Sequence, residues 1–314
     1  MKAPDRTEAI ILALLAALLV AALFLPQWAI FLVTVALAKG LVVLGMLLLM
    51  RTGLVSFGQG LYFCLGAYAA GTLSQLLHVR DAAAMLLAAL GVSVAVALVL
   101  GILLATYRGI FFSMLSLAFS MILYGLLVKS ATLGSTDGFN ISWGTLFGAR
   151  LPSGSSRYVL FTCALVTSTV SALALYRFLG SHLGRLAPAI RDNELRVEYL
   201  GGSVRKAVLL NTVIAAGLTG MGGALTAVAV GHIDPEMAYW TTSGEFVFVA
   251  ILSGTVSVLA PFLASLLFEL LRSFAYQYSP NTWQMVVGAA MLLVILFLPT
   301  GVWAIFGQRW RKAA

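Results

Sequence analysis

Three charged side chains stand where charge is expensive. Lys39, Glu245 and Glu269 lie inside or at the edge of long apolar runs. A lone charge at mid-membrane costs at least ~2.5–3.5 kcal/mol, so each should face protein or a wet cavity. Lys39 sits about ten residues, or ~15 Å, from either end of its run, too deep for its stem to reach water easily. Glu269 lies at a comparable depth, and a Lys39–Glu269 pair is predicted; Lys39 facing a wet cavity alone is the rival. A second group, Arg191, Asp192, Glu194 and Glu198 followed by Gly201, places both charge signs on one short polar stretch. A third, Ser56-Phe-Gly-Gln-Gly60, puts two glycines and two hydrogen-bonding side chains, with Ser56, Gly58 and Gln59 foremost, where an apolar run begins. Such irregular backbone survives in a membrane only when buried in protein or lining water, although a glycine-rich helix contact would use the same residues. His232, Asp234 and Glu236, spaced by two on one loop, are a weak metal pattern. There is no G-x-x-x-x-G-K-[ST] run to cradle a nucleotide and no evident nucleophile–base set. Neither catalysis, a cofactor nor a metal is expected.

The elements that hold these residues follow from composition. The chain is 61% hydrophobic and 10% charged, with a mean hydropathy of +1.02, whereas soluble domains carry roughly 25% charged residues. Only a bilayer can solvate so apolar a chain. Spans need about 20 apolar residues, and ten runs qualify or approach this: Ala9–Leu25, Trp28–Met50, Leu54–Leu77, Ala83–Thr106, Ile110–Val128, Tyr158–Tyr176, Ala207–Val230, Glu245–Val258, Leu259–Tyr276 and Trp283–Leu298. The expectation is an all-α, polytopic transmembrane helical bundle of about ten spans, one domain over residues 1–314. The first run has no A-x-A-like site after it and reads as a retained anchor. The eighth is short, so a full span and a broken or re-entrant one both stand; the charge count argues for keeping it, since without it the basic C-terminal end would lie outside.

The net charge of +8 reflects loop basicity rather than nucleic-acid binding. With both ends cytoplasmic, the inner segments hold thirteen Lys and Arg, including Arg51, Arg108, Arg191, Arg309, Arg311 and Lys312, and the outer ones four: Arg80, Lys129, Arg150 and Arg157. The positive-inside rule therefore favours this orientation. Trp28, Trp240, Trp283 and Trp303 near span ends fit an aromatic belt. Cys64 and Cys163, inside apolar runs, read as small hydrophobes. Ala216, Gly220 and Ala224, spaced by four, read as a helix-packing stripe.

The cytoplasmic segment 177–206 predicts a short amphipathic helix with Pro188 in its first turn, the apolar Leu195, Val197 and Leu200 at helical offsets, and a stop at Gly201-Gly202. Its apolar face would dock into a partner's groove or lie on lipid headgroups. This segment resembles the cytoplasmic coupling loop of the branched-chain amino acid ABC permeases of LivM type. Gly53-Leu-Val-Ser-Phe-Gly-Gln-Gly-Leu-Tyr-Phe-Cys-Leu-Gly-Ala-Tyr68 is similar to that family's early Gly-x-x-Ser-Leu-Gly…Gly-Ala-Tyr stretch. Gly134-Ser-Thr-Asp-Gly138 resembles its Gly-Gly-Thr-Asp-Gly loop, with Ser135 replacing one glycine. Asp234-Pro-Glu, Ser243-Gly-Glu-Phe and Ser253-Gly-Thr-Val-Ser…Ala-Pro261 follow its late pattern. Departures are Leu195, Arg196 and Val197 after Glu194, where the family has small residues, and Ser253, Val256 and Ala260 in place of late glycines.

The resemblance implies a permease subunit of an ATP-driven importer of branched-chain or hydrophobic amino acids in a bacterial inner membrane. Its implied partners are a LivH-like second permease, two cytoplasmic ABC ATPase subunits and a periplasmic solute-binding protein. Arg191, Asp192, Glu194, Glu198 and Gly201 would then couple to the ATPase. Ser56, Gly58, Gln59, Lys39 and Glu269 would line the path. Thr136, Asp137 and Gly138, locally a turn in which Asp caps and Gly takes positive φ, would meet the binding protein. Relatives of this type carry urea, amides or aromatic acids. A stand-alone secondary transporter is the rival class; it should show several intramembrane acids or His for ion coupling.

Overall fold

The computed structural model describes residues 6–22, 25–146, 148–150, 156–278, 280–297 and 301. Within them the chain forms twelve α-helices: α1 Arg6–Ala22, α2 Gln27–Arg51, α3 Gln59–Leu76, α4 Ala82–Leu104, α5 Gly109–Lys129, α6 Ser156–Gly180, α7 His182–Asp192, α8 Glu194–Tyr199, α9 Val204–Val230, α10 Trp240–Ser253, α11 Ala260–Tyr278 and α12 Trp283–Phe297. Five of these, α2, α4, α5, α6 and α9, are long and apolar enough to cross a membrane. The chain is thus a largely helical, multi-pass membrane protein. Four two-residue strands, β1 Phe139–Asn140, β2 Thr145–Leu146, β3 Ala149–Arg150 and β4 His232–Ile233, pair antiparallel as β1–β4 and β2–β3.

The centre is α2, α3 and α9. Lipid tails are as apolar as leucine, so close van der Waals fit has to hold these helices together. Small residues supply it. A β-carbon on Gly66 of α3 would strike the backbone of Gly220 on α9, and one on Gly45 of α2 would come within 2.7 Å of the Ala215 carbonyl. Ala216, Gly220 and Ala224 are buried in this contact, as a packing stripe requires. Cys64 is buried at the same core and Cys163 is half-buried; both are free thiols. Around the core, α4 and α5 bury little of their surface and carry exposed Leu87, Val99, Ile110, Phe111 and Met114.

The helix ends correct several expectations. The third helix starts at Gln59 rather than Leu54, because Gly53 turns at φ +80° and residues 54–58 run as non-helical chain. The eighth apolar run is helical over Trp240–Ser253, not Glu245–Val258. Its 14 residues reach only ~21 Å of a ~30 Å core. Asp234 caps a 3-10 turn, Pro235–Ala238, through the Met237 N–H and so fixes the chain just before α10. Ser120 in the middle of α5 donates its hydroxyl to the Ala238 carbonyl at 2.7 Å. Helix α10 therefore begins level with the middle of α5, and exposed Trp240 is not at an outer span end. Beyond the other end of α10, the Thr255 and Val256 carbonyls accept from Arg51 at 2.8 and 2.9 Å. Trp303, Arg309, Arg311 and Lys312 lie outside the described residues.

Candidate functional site

Lys39, at the middle of α2, meets Glu269 of α11: Nζ lies 2.6 Å from Oε1. The predicted pair is present, within a larger cluster. Glu245 of α10 lies 3.7 Å from the same ammonium. Arg272, one turn beyond Glu269 on α11, places Nη1 3.2 Å from Glu245 and 3.9 Å from Glu269. The guanidinium also stacks over the Trp283 ring of α12, 5.2 Å from its centre. Two cations and two anions cancel, which is the arrangement that makes charge tolerable in a low-dielectric interior. Sequence reasoning found Lys39 and Glu269 and missed Arg272. The signal was there: Glu269 and Arg272 are three apart and share one helix face. A void of about 10 Å³ lies among Lys39, Glu245, Ser265 and Glu269. The Ser265 hydroxyl is buried beside it with no hydrogen-bond partner among the described residues.

The Ser56–Gly60 run is a broken helix start held by hydroxyls from other helices. The Phe57 N–H donates to Ser116 Oγ at 3.2 Å and the Gly58 N–H to Ser56 Oγ at 3.2 Å. The Gly60 N–H donates to Ser243 Oγ of α10 at 3.0 Å. These bonds serve backbone donors that a helix start leaves unsatisfied. The first turns of α3 and α10 thus meet inside the protein, with their positive dipole ends close together. Gln59 accepts the Thr219 hydroxyl at 2.6 Å, while its amide nitrogen is buried without a partner among the described residues. Ser56, Gly58 and Gln59 are all buried, so in this conformation the break is closed to solvent.

The segment between α6 and α9 forms two helices rather than one. Ser181 caps α7 through the Gly184 N–H, which starts that helix six residues earlier than the Pro188 expectation and leaves Pro188 in its interior. Asn193 ends α7 and caps α8 through the Arg196 N–H. Glu194 pairs with Arg108, between α4 and α5, at 2.8 Å, and Arg108 also donates to the Ala105 and Tyr107 carbonyls. The stem of Arg191 lies against Gly53, 3.1 Å from the site of a β-carbon there. Arg191, Asp192 and Glu198 are exposed, and Gly201 turns at φ +84°. Of the expected apolar face only Val197 is buried within the chain; Leu195 and Leu200, with Tyr199, project outward. Arg108 was not identified from sequence, because its contact is tertiary.

On the opposite side, Gly138 at φ +64° packs against the Ile233 carbonyl and Gly134 at φ +88° against Gly138. Thr136 and Asp137 are exposed; the Thr136 hydroxyl donates to the Asp137 carboxylate at 3.2 Å, where a backbone cap was expected. Ser135, standing where the resembled loop has glycine, adopts φ +50° and donates its hydroxyl to the Val128 carbonyl. His232 pairs with Asn140 at 2.9 Å and Asp234 is a helix cap, so the spaced His-Asp-Glu residues do not converge. A contact missed from sequence is Asp81, which caps α4 and accepts the Gly148 N–H at 2.7 Å.

Comparison with known proteins gives a consistent match. Residues 28–296 match the family described as branched-chain amino acid transport system / permease component. The chain is 26% identical over 277 residues to the high-affinity branched-chain amino acid transport system permease protein LivM of Salmonella typhimurium (strain LT2), and equally to that of Escherichia coli (strain K12). Each alignment covers 80% of this chain and 64% of the relative, so the chain spans less than two thirds of the length of the curated relatives it matches. No solved structure matches it.

Proposed function

We propose that this chain, which belongs to the branched-chain amino acid transport system permease family, is one of two permease subunits of an ATP-driven importer for branched-chain or other hydrophobic amino acids. It would act as a single membrane domain in a bacterial inner membrane, crossing about ten times with the α7–α8 segment and both termini in the cytoplasm. The half-length α10 completes the eighth crossing together with the 3-10 turn and short connection before it. A LivH-like second permease, two cytoplasmic ATPase subunits and a periplasmic binding protein complete the assembly, and ATP is hydrolysed in the ATPase subunits.

The observation that carries this reading is a continuous set of contacts from the exposed α7–α8 segment to the broken start of α3. Leu195, Tyr199 and Leu200 offer an ATPase groove an apolar face. Force on that face reaches the α4–α5 turn through Glu194–Arg108 and the α2–α3 turn through Arg191 on Gly53. Residues 54–58, which lead to Ser56, Gly58 and Gln59, follow directly. Moving them against Ser116 and Ser243 would open or close the path at the level of the Lys39–Glu269 cluster. Thr136, Asp137 and Gly138, near the other end of α5, are the proposed contact for the binding protein.

Reconstitution tests it. Vesicles holding this chain with its second permease and ATPases should accumulate radiolabelled leucine only with ATP and the binding protein. Vesicles holding this chain alone should accumulate none; accumulation there, driven by an ion gradient, would establish the secondary-transporter reading instead.

A further inference from the structure

The charge cluster is not uniform. Its Lys39–Glu269 half is tight and nearly closed, with side chains 13% and 12% exposed. Its Arg272–Glu245 half is looser and more open, at 38% and 24%. Arg272 lies two thirds of the way along α11, yet its guanidinium turns toward Glu245 and Glu269 rather than toward the nearby helix end at Tyr278. A half-exposed cation held at this depth must face water or protein, not lipid.

We infer that the Arg272–Glu245 half is a subsite for a zwitterion, the carboxylate of an amino acid taking Arg272 and its ammonium taking Glu245. The inference rests on the importer reading above and names the group recognised on the path. Its physical basis is neutrality. A zwitterion entering between Arg272 and Glu245 replaces one ion pair by two and leaves the cluster with no net charge. An amine alone or a carboxylate alone would leave one member without compensation in a low-dielectric site, which is heavily disfavoured. The Trp283 ring lies against the guanidinium, 5.2 Å from its centre, and adds a cation–π contact. Ser265, 2% exposed and without a hydrogen-bond partner among the described residues, lines the void beside Lys39, Glu245 and Glu269. Its hydroxyl can donate to the Glu245 carboxylate, or to a water bridging to it, as that carboxylate turns between Lys39 and the ligand. The void has room for a single water, so the ligand's apolar side chain is placed on the open Arg272 side.

Binding of radiolabelled leucine to the purified permease–ATPase assembly, without binding protein, tests the subsite by competition. The competitors are leucine, leucinamide (cation only) and 4-methylpentanoate (anion only). Leucine should compete about tenfold or more better than either, since each loses one charge-assisted contact. In Arg272→Gln its advantage over leucinamide should fall to about twofold or less, and in Glu245→Gln its advantage over 4-methylpentanoate should fall likewise. Arg272→Lys and Glu245→Asp keep the charges, and so the fold, and should weaken leucine binding about threefold or more through altered reach. Unchanged preferences in the Gln variants, or unchanged affinity in both conservative ones, would overturn the subsite. ATP-driven leucine uptake by the complete wild-type assembly separates the two ideas: its absence sinks the importer reading, while its presence with unmoved preferences sinks only the subsite.

Discussion

Reversing the charge of Glu194 tests whether the α7–α8 segment drives the rest of the protein through Arg108. The two side chains meet at 2.8 Å and are 28% and 38% exposed. At this exposure the attraction is well below the ~4 kcal/mol that Coulomb's law gives at 4 Å and an effective dielectric of 20; about 1 kcal/mol matches measured exposed pairs. Glu194→Arg removes that attraction and sets two guanidiniums against each other, a swing of about 2 kcal/mol, or about thirtyfold in the equilibrium between the docked and undocked segment. The assay is leucine accumulated per ATP hydrolysed in vesicles holding the complete assembly. Glu194→Arg should lower that ratio about tenfold while ATP hydrolysis continues, because the ATPases remain intact and only their grip is lost. Adding Arg108→Glu restores the pair in reverse and should recover at least about a third of the wild-type ratio. A double variant no better than the single ones, with purely additive losses, would refute transmission through this contact. Glu198 serves as the control, its side chain being exposed and without a hydrogen bond or ion pair among the described residues; Glu198→Arg should act only through the ATPase side, and no change at Arg108 should rescue it.

Three further outcomes follow from the packing. Lys39→Met leaves Glu245 and Glu269 sharing only Arg272 and should cost about 3 kcal/mol; the double variant with Glu269→Leu leaves the neutral Arg272–Glu245 pair and should cost less, and thermal unfolding in detergent showing the sum of the two single losses would reject the pairing. Ser243→Ala orphans the buried Gly60 N–H and should destabilise by about 1–2 kcal/mol, read by the same melts, while a silent variant would mean the start of α3 is held otherwise. Gly138→Ala combines a positive φ with a β-carbon against the Ile233 carbonyl and should cost about 2 kcal/mol or more; Gly144→Ala, where a β-carbon meets open space, should be near neutral, and equal melts for the two would discount the loop geometry.

What the sequence disclosed depended on whether a physical cost could be located along the chain itself. The depth of Lys39 and of Glu269 can be counted from the ends of their own apolar runs, so their meeting was legible. Glu245 was not placed in the same way. Hydropathy set it at the start of a run ending at Val258, whereas Asp234 and the turn after it begin the helix at Trp240. That shift carries Glu245 one turn into α10, beside Lys39. Arg272 is legible only through its spacing from Glu269; its nearer partner is Glu245, which hydropathy puts at a helix end. Periodicity likewise joined α7 to α8, because Asn193 reads as one more polar position until its side chain is seen capping the Arg196 N–H.

The closed break at Ser56–Gly60 is where these observations bear on the proposed transport. A chain crossing hydrocarbon must satisfy its backbone donors within the protein, and here they are satisfied by hydroxyls on two other helices, Ser116 of α5 and Ser243 of α10. Hydroxyl contacts of this kind contribute about 1 kcal/mol each, so they can be exchanged by a shift of a few ångströms. The Gly66–Gly220 contact of the core has no such slack, since any displacement opens a gap or drives backbone into backbone. On the coupling proposed above, motion imposed through Glu194 and Arg191 would be directed to the start of α3, whose hydroxyl contacts exchange more readily than the glycine packing. Glu245 lies two residues from Ser243 on α10, so a displacement that breaks the Gly60–Ser243 bond also moves one carboxylate of the charge cluster.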